Sequence, residues 1–115
     1  MREEWTYSPY ARMKQSIPHS LEIDKAKIVA KKAVEAYQER FAKYNFASTW
    51  VDESRVEFGF AVKGKRLAGA MQVRARSLDF ELNVPFIFRA FSAKATSIIE
   101  EEVRKWIGRA ERDEL

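Results

Sequence analysis

The chain has no cysteine, one histidine, three prolines and four glycines in 115 residues, and each scarcity removes a class of explanation. Without cysteine there is no disulfide framework, no thiol nucleophile and no thiolate metal site. That fits a reducing compartment, and a cytoplasmic protein is the expectation. The single histidine, His19, leaves no second imidazole to share a metal and no thiol to activate. So little proline and glycine makes no linker, and no repeat or low-complexity tract interrupts the chain. Nothing approaches the roughly 18 consecutive apolar residues of a membrane-spanning helix. Met1-Arg2-Glu3-Glu4-Trp5 carries acids where a signal peptide has its apolar core. The closing Arg112-Asp113-Glu114-Leu115 resembles a lumenal retention address, which has meaning only on a protein that enters the secretory route, and it is read here as coincidence.

What is present fits one globular domain: 46% hydrophobic and 33% charged residues, enough chain for a single core. Residues 12–112 are assigned to it, with 1–11 as an N-terminal arm and 113–115 as a tail. From Val56 to Val84 apolar and polar residues alternate with period two, the pattern of an antiparallel meander. Tight turns at Gly64-Lys65 and Arg76-Ser77 would set Val56, Phe58, Phe60 and Val62 opposite Val73, Met71, Gly69 and Leu67. Those in turn would face Phe80, Leu82 and Val84. Upstream, Ala26, Ala30, Ala33, Tyr37, Phe41 and Tyr44 recur at helical spacing, predicting a helix that starts between Ser20 and Asp24 and ends near Tyr44-Asn45. Arg12–Ile17 and Phe46–Val51 read as strands, with Asp52–Ser54 turning into the meander. After Pro85, Phe91, Ala95, Ile98, Ile99, Trp106 and Ile107 form a second helical stripe, with Val103 at its margin. The predicted fold class is α+β, an antiparallel sheet in β-α-β-β-β-β-α order with two helices on its apolar face.

The opposite face of that sheet is unusual. Gly59, Ala61, Ala68 and Ala70 form a flat patch of small residues between basic ends, where Arg55, Arg74 and Arg76 lie. Small residues are poor strand formers on an exposed face, so close approach of a partner is one reading: a second copy or an apolar surface. The other is that they relieve crowding, or that the arm with Trp5, Tyr7 and Tyr10 crosses them. The same register points Trp50 outward beside Glu57, while a turn longer or shorter by one residue would swing it into the core, and it pairs Arg74 with Asp79 across the strands. On the inner side, Phe58, Phe60, Met71, Phe80, Phe91, Ile98 and Trp106 would line an apolar ligand cavity if one exists, and would otherwise form the core.

Of 21 basic and 17 acidic side chains, eight basic and only three acidic fall between Arg55 and Lys94. The strand aromatics have core-facing parity, so this basic side lacks stacking platforms and nucleic acid is the least favoured partner. Catalysis finds no constellation. Ser16 and Ser20 stand in no nucleophile elbow, and His19, just before a helix, reads as a turn-bonding residue. Glu100, Glu101 and Glu102 occupy consecutive helical positions and fan out as a solvated face. No dinucleotide, Walker or zinc-protease motif occurs, and Lys63-Gly64-Lys65 reads as a hairpin turn. The expectation is a protein that is not an enzyme and uses no metal or cofactor.

His19-Ser20-Leu21 followed by Ala26 in a charged helix, Trp50 with an acidic turn, Phe58 and Phe60, Gly64 and Gly69, and Val84-Pro85 before a closing helix occur in an order and spacing that resemble a known family. This is the small bacterial polyhydroxyalkanoic acid system proteins, and the likeness covers most of residues 12–112. The chain departs from the family pattern at Asp52, where a glycine is usual two residues after the tryptophan. The resemblance implies a non-enzymatic accessory or binding protein of polyester granules or apolar acyl ligands, cytoplasmic and granule-associated. A homo-oligomeric interaction module using the outer sheet face is the alternative. The element order also resembles a shortened helix-grip fold, in which a sheet wraps a long C-terminal helix.

Overall fold

The computed structural model describes residues 10–85 and 88–115. Its elements are β1 (Tyr10–Pro18), α1 (Ile23–Arg40), a 3-10 turn (Ala42–Tyr44), β2 (Ala47–Asp52), β3 (Arg55–Val62), β4 (Lys65–Val73), β5 (Ser77–Pro85) and α2 (Arg89–Glu111). The five strands form one antiparallel sheet in the order β1-β5-β4-β3-β2, so the first strand pairs with the last.

Both helices cover the same face. Inward residues of β3, β4 and β5 (Phe58, Phe60, Leu67, Met71, Phe80, Leu82) join the stripes Ala26-Ala30-Ala33-Tyr37 of α1 and Ala95-Ile99-Val103-Ile107 of α2 in one buried cluster. Val103, assigned to the margin of its stripe, is fully buried. Inside this cluster Tyr37 of α1 donates its hydroxyl hydrogen to the Ile99 carbonyl of α2 at 2.9 Å, which satisfies a polar group the core could not otherwise hold. Burial pushes its phenol well above the ordinary range, and nearby Glu102 adds to that.

The α-helical ladder of α1 ends at Arg40. The chain then tightens into the 3-10 turn and stops at Asn45, whose left-handed backbone (φ 55°, ψ 49°) is the closure that asparagine tolerates.

The register of the meander differs from expectation at both hairpins. Val56 pairs with Met71 and Phe60 with Leu67, so the β3–β4 turn is Lys63-Gly64 and not Gly64-Lys65. Both turn residues have positive φ, 50° at Lys63 and 82° at Gly64, the requirement of a type I′ hairpin, and glycine fills its second position at no steric cost. At the next hairpin Arg74 donates its N–H to the Ser77 carbonyl at 2.8 Å, so the turn is Ala75-Arg76. Each slip is two residues, which leaves every side chain on its expected face but changes its neighbours. Arg74 therefore meets Asp79 diagonally, with Nε 2.7 Å from Oδ2, instead of directly across the ladder.

Of the two orientations open to Trp50, the inward one is found. The β2–β3 ladder shifts between Trp50 and Asp52, and the extra residue, Val51, is exposed. This bulge sets Trp50 opposite Val56, on the helix side of the sheet, where it packs against the core.

Candidate functional site

The face of the sheet away from the helices carries three side-chain rows. Arg12, Asn83, Ala68, Gly59 and Ala47 stand in register, then Lys14, Glu81, Ala70, Glu57 and Thr49, then Ser16, Asp79, Gln72 and Arg55. Their small members form the floor of an open trough of about 410 Å³. Gly59, Ala68 and Ala70 are that floor, and Arg55, Arg66, Glu57, Glu81 and Asn83 rise around it. A second hollow of about 390 Å³ adjoins it and shares Arg55, Ala70 and Glu81. Ala70 is only 6% exposed, shaded by the longer Glu57 and Glu81 that flank it on either strand.

Sequence reasoning placed Gly59, Ala68, Ala70 and Arg55 on this site, and the structure brings them together. Arg74 lines the second hollow, Ala61 lies opposite Arg66 beyond the trough, and Arg76 is exposed in the β4–β5 turn. The expected register sets Arg66 on this face too, but in a row with Lys63 at its basic end. With the turn moved to Lys63-Gly64 it comes opposite Ala61 and next to Gly59. Positive φ at Lys63 could not be read from the sequence; a glycine preferring the second turn position was the available signal.

The charges of the face are unevenly neutralised. Arg55 lies 3.6 Å from Glu57 and 3.4 Å from the Gln72 amide oxygen. Asp79 accepts hydrogen bonds from the hydroxyls of Ser16 at 2.6 Å and Ser77 at 2.8 Å, and from Arg74. Burial pushes its carboxyl upward, but these donors outweigh it and hold the group below the usual carboxylate range. Arg66 forms no ion pair among the described residues.

On the helix side, Phe58, Phe60, Met71 and Phe80 are buried core residues, and Phe91, Ile98 and Trp106 pack against them half-buried. Phe60 stacks on Phe41 at 5.0 Å and meets Phe91 at 5.8 Å; Phe46 stacks on Phe58 at 5.7 Å. Phe58, Phe60 and Phe91 thus pack against other rings, and the two hollows above open onto the outer face. The arm residues Trp5 and Tyr7 lie outside the described residues.

Two polar groups behave differently from a solvated surface. His19 is 8% exposed and both ring nitrogens are engaged: Nδ1 accepts from the Leu21 N–H at 3.0 Å, so Nε2 carries the proton it donates to the Arg74 carbonyl at 3.0 Å. Glu102, expected to fan into solvent, is 4% exposed. Position 102 belongs to the buried stripe of α2, and its carboxylate takes Arg40 of α1 at 2.8 Å and the Trp106 indole N–H at 3.2 Å. Arg40 is correspondingly held above its ordinary value, chiefly by that hydrogen bond. No group of three His, Cys, Asp or Glu side chains among the described residues is arranged to hold a metal ion. No helix among them is long and apolar enough to cross a membrane.

An antiparallel sheet gripping a long C-terminal helix, with both helices on one face and neither on the other, puts the protein in the helix-grip class. The likeness is visible in solved structures. The di-domain ARO/CYC StfQ from the steffimycin biosynthetic pathway superposes with a TM-score of 0.63 at 8% identity over 99% of this chain and 55% of its own. This chain thus spans about half the length of that protein. Ara h 8.0201 superposes with a TM-score of 0.54 at 5% identity, covering 86% of this chain and 99% of its own. The Zhui aromatase/cyclase from Streptomyces sp. R1128 gives 0.51 at 8% identity, covering 87% and 94%. Identities this low establish the fold alone. Within the class the sequence is specific: residues 14–107 match the family described as "Putative polyhydroxyalkanoic acid system protein", and the chain belongs to that family. No curated protein matches it in sequence.

Proposed function

We propose that this protein is a non-enzymatic accessory protein of the polyhydroxyalkanoate system that binds polyester or its hydroxyacyl segments on the outer face of its sheet. The observation that carries this reading is the trough floored by Gly59, Ala68 and Ala70 on the one face that neither helix covers. A floor with nothing larger than a methyl group lets an extended chain come close to the strand backbone. Around it, Arg55, Arg66, Asn83 and Thr49 offer N–H and O–H donors to ester carbonyls, which are acceptors only. The ring packing between sheet and helices supports the same choice, since a ligand at Phe60 would have to displace its contacts with Phe41 and Phe91. Family membership supplies the polymer. The engagement of both nitrogens of the single histidine supports a binding role over a catalytic one.

The test is sedimentation of the purified protein with poly(3-hydroxybutyrate) particles. The wild type should pellet with the particles at low and high salt, and Ala68→Arg, which fills the floor from an exposed position, should remain soluble. Failure of the wild type to pellet at either salt overturns the reading. Native mass spectrometry separates the alternative: a ligand-free dimer that Ala68→Arg converts to monomer would make the same face a self-association surface.

A further inference from the structure

A second surface lies at one pole of the molecule. Three segments converge there through aromatic packing: Phe41, before the 3-10 turn, stacks on Phe60 of β3 at 5.0 Å. Phe60 meets Phe91 of α2 at 5.8 Å, and Phe91 meets Tyr44 edge-on at 5.2 Å. The pole therefore comprises the 3-10 turn, the β3–β4 hairpin and the first turns of α2. Among the described residues of these three segments the charged side chains are all cations: Lys43, Lys63, Lys65, Arg66, Arg89 and Lys94, all exposed. No acid occurs in residues 42–46, 61–68 or 88–95. None of the six forms an ion pair among the described residues; the ion pairs found there are made by other cations. Charge is thus segregated within a chain whose totals nearly balance, 21 basic against 17 acidic.

We infer that this pole docks on an anionic lipid surface. The cations sit on three separate elements around an end of the fold, a spread that matches a flat field of phosphates and not a single anion. Beneath them, Tyr44, Phe88 and Phe91 are half-buried, an arrangement suited to the headgroup boundary. Single-stranded nucleic acid would need exposed ring faces to stack on, and these rings are engaged with one another and with the core. The sequence also places Lys63 at a turn position of positive φ, where asparagine or glycine would fit with less strain, so charge is kept there against local preference. The surface borders the trough and shares Arg66 with it, whereas Lys65 and Lys94 line neither hollow of the outer face and so test the pole alone.

The experiment is co-sedimentation of the full chain with vesicles of phosphatidylcholine alone and of phosphatidylcholine mixed with phosphatidylglycerol, in the absence of polyester. Binding should require phosphatidylglycerol and weaken as salt rises. The double variant Lys65→Glu/Lys94→Glu, two exposed side chains on different elements, should lose about tenfold or more in partitioning. A control, Lys31→Glu/Arg76→Glu, makes the same change in net charge away from the pole and should bind as the wild type. Circular dichroism of all variants checks that each is folded. The inference is overturned by absence of phosphatidylglycerol-dependent binding, by equal loss in the control, or by binding to single-stranded RNA without binding to vesicles.

Discussion

The guanidinium of Arg66 lies against the backbone of Gly59, so that a Cβ added to Gly59 would stand 2.9 Å from Nη2 and 3.1 Å from the Leu67 carbonyl oxygen. The missing side chain is what lets an arginine lie across the trough floor. Gly59→Ala should therefore cost little stability, because the far end of a flexible side chain can yield, yet it should lift Arg66 off the floor. The expected outcome is a melting temperature within a few degrees of wild type, together with weakened particle binding. A Gly59→Ala variant that binds particles as the wild type does would remove Arg66 placement from the site.

Gly69 provides the contrast, because its added Cβ would meet the Phe58 ring at 2.6 Å and the Glu81 backbone oxygen at 2.7 Å. Neither can withdraw: the ring is in the aromatic cluster and the carbonyl is in the sheet. Gly69→Ala should destabilise by about 2–3 kcal/mol, the scale of an overpacked core. Urea denaturation measures it directly, and equal midpoints for Gly59→Ala and Gly69→Ala would contradict this account.

Arg40 and Glu102 join the two helices, and the carboxylate side chain is 5% exposed while the arginine is 35% exposed. Removing the arginine leaves a buried carboxylate with only the Trp106 indole and a lysine 3.7 Å away. Because Arg40 is partly in water, Arg40→Ala should cost about 2 kcal/mol, below the usual range for breaking a buried pair. Replacing both partners, as Arg40→Met with Glu102→Leu, should restore most of that loss. A double variant as unstable as the single one would show that the pair holds the helices by more than its own neutralisation.

Much of the architecture was legible because two periods, 2 in the strands and 3.6 in the helices, were cleanly separated in the chain. Parity survives a two-residue slip, so Phe58, Met71 and Phe80 were placed on the core side even though their partners were misjudged. What period cannot report is which residue takes positive φ, and this decided the Lys63-Gly64 turn and the company of Arg66. A bulge is equally silent. Val51 adds one residue to β2, and that single insertion decides which way Trp50 points. Glu102 was hidden for a different reason: its type argues for solvent, and only the partner helix supplies the arginine that permits burial.

Asp79 makes stability depend on acid. Its carboxyl is held below the ordinary range by Ser16, Ser77 and Arg74 against the opposing effect of burial. A carboxyl depressed in the folded state contributes stability that is fully present above its unfolded value. That contribution is lost as pH falls through the folded one, here from about pH 4 downward. Asp79→Asn removes the contribution, so the difference in stability between wild type and variant should shrink as pH falls below about 4. Chemical denaturation from neutral to acid pH tests this, and a constant difference would mean that Asp79 acts through shape alone.

Lys63 connects the fold to the charged pole. In a type I′ turn its φ of 50° suits asparagine, whose short side chain tolerates the left-handed region, far better than lysine. Lys63→Asn should therefore stabilise the protein by about 0.5–1 kcal/mol, raising the melting temperature by several degrees in a chain of this size. The same change removes one of three cations at the hairpin tip and should weaken binding to phosphatidylglycerol vesicles. Gain of stability with loss of binding would show that the turn sacrifices local fit for surface charge. If the variant gains stability and binds vesicles undiminished, the lysine is an accident of the turn and the pole must rest on its remaining cations.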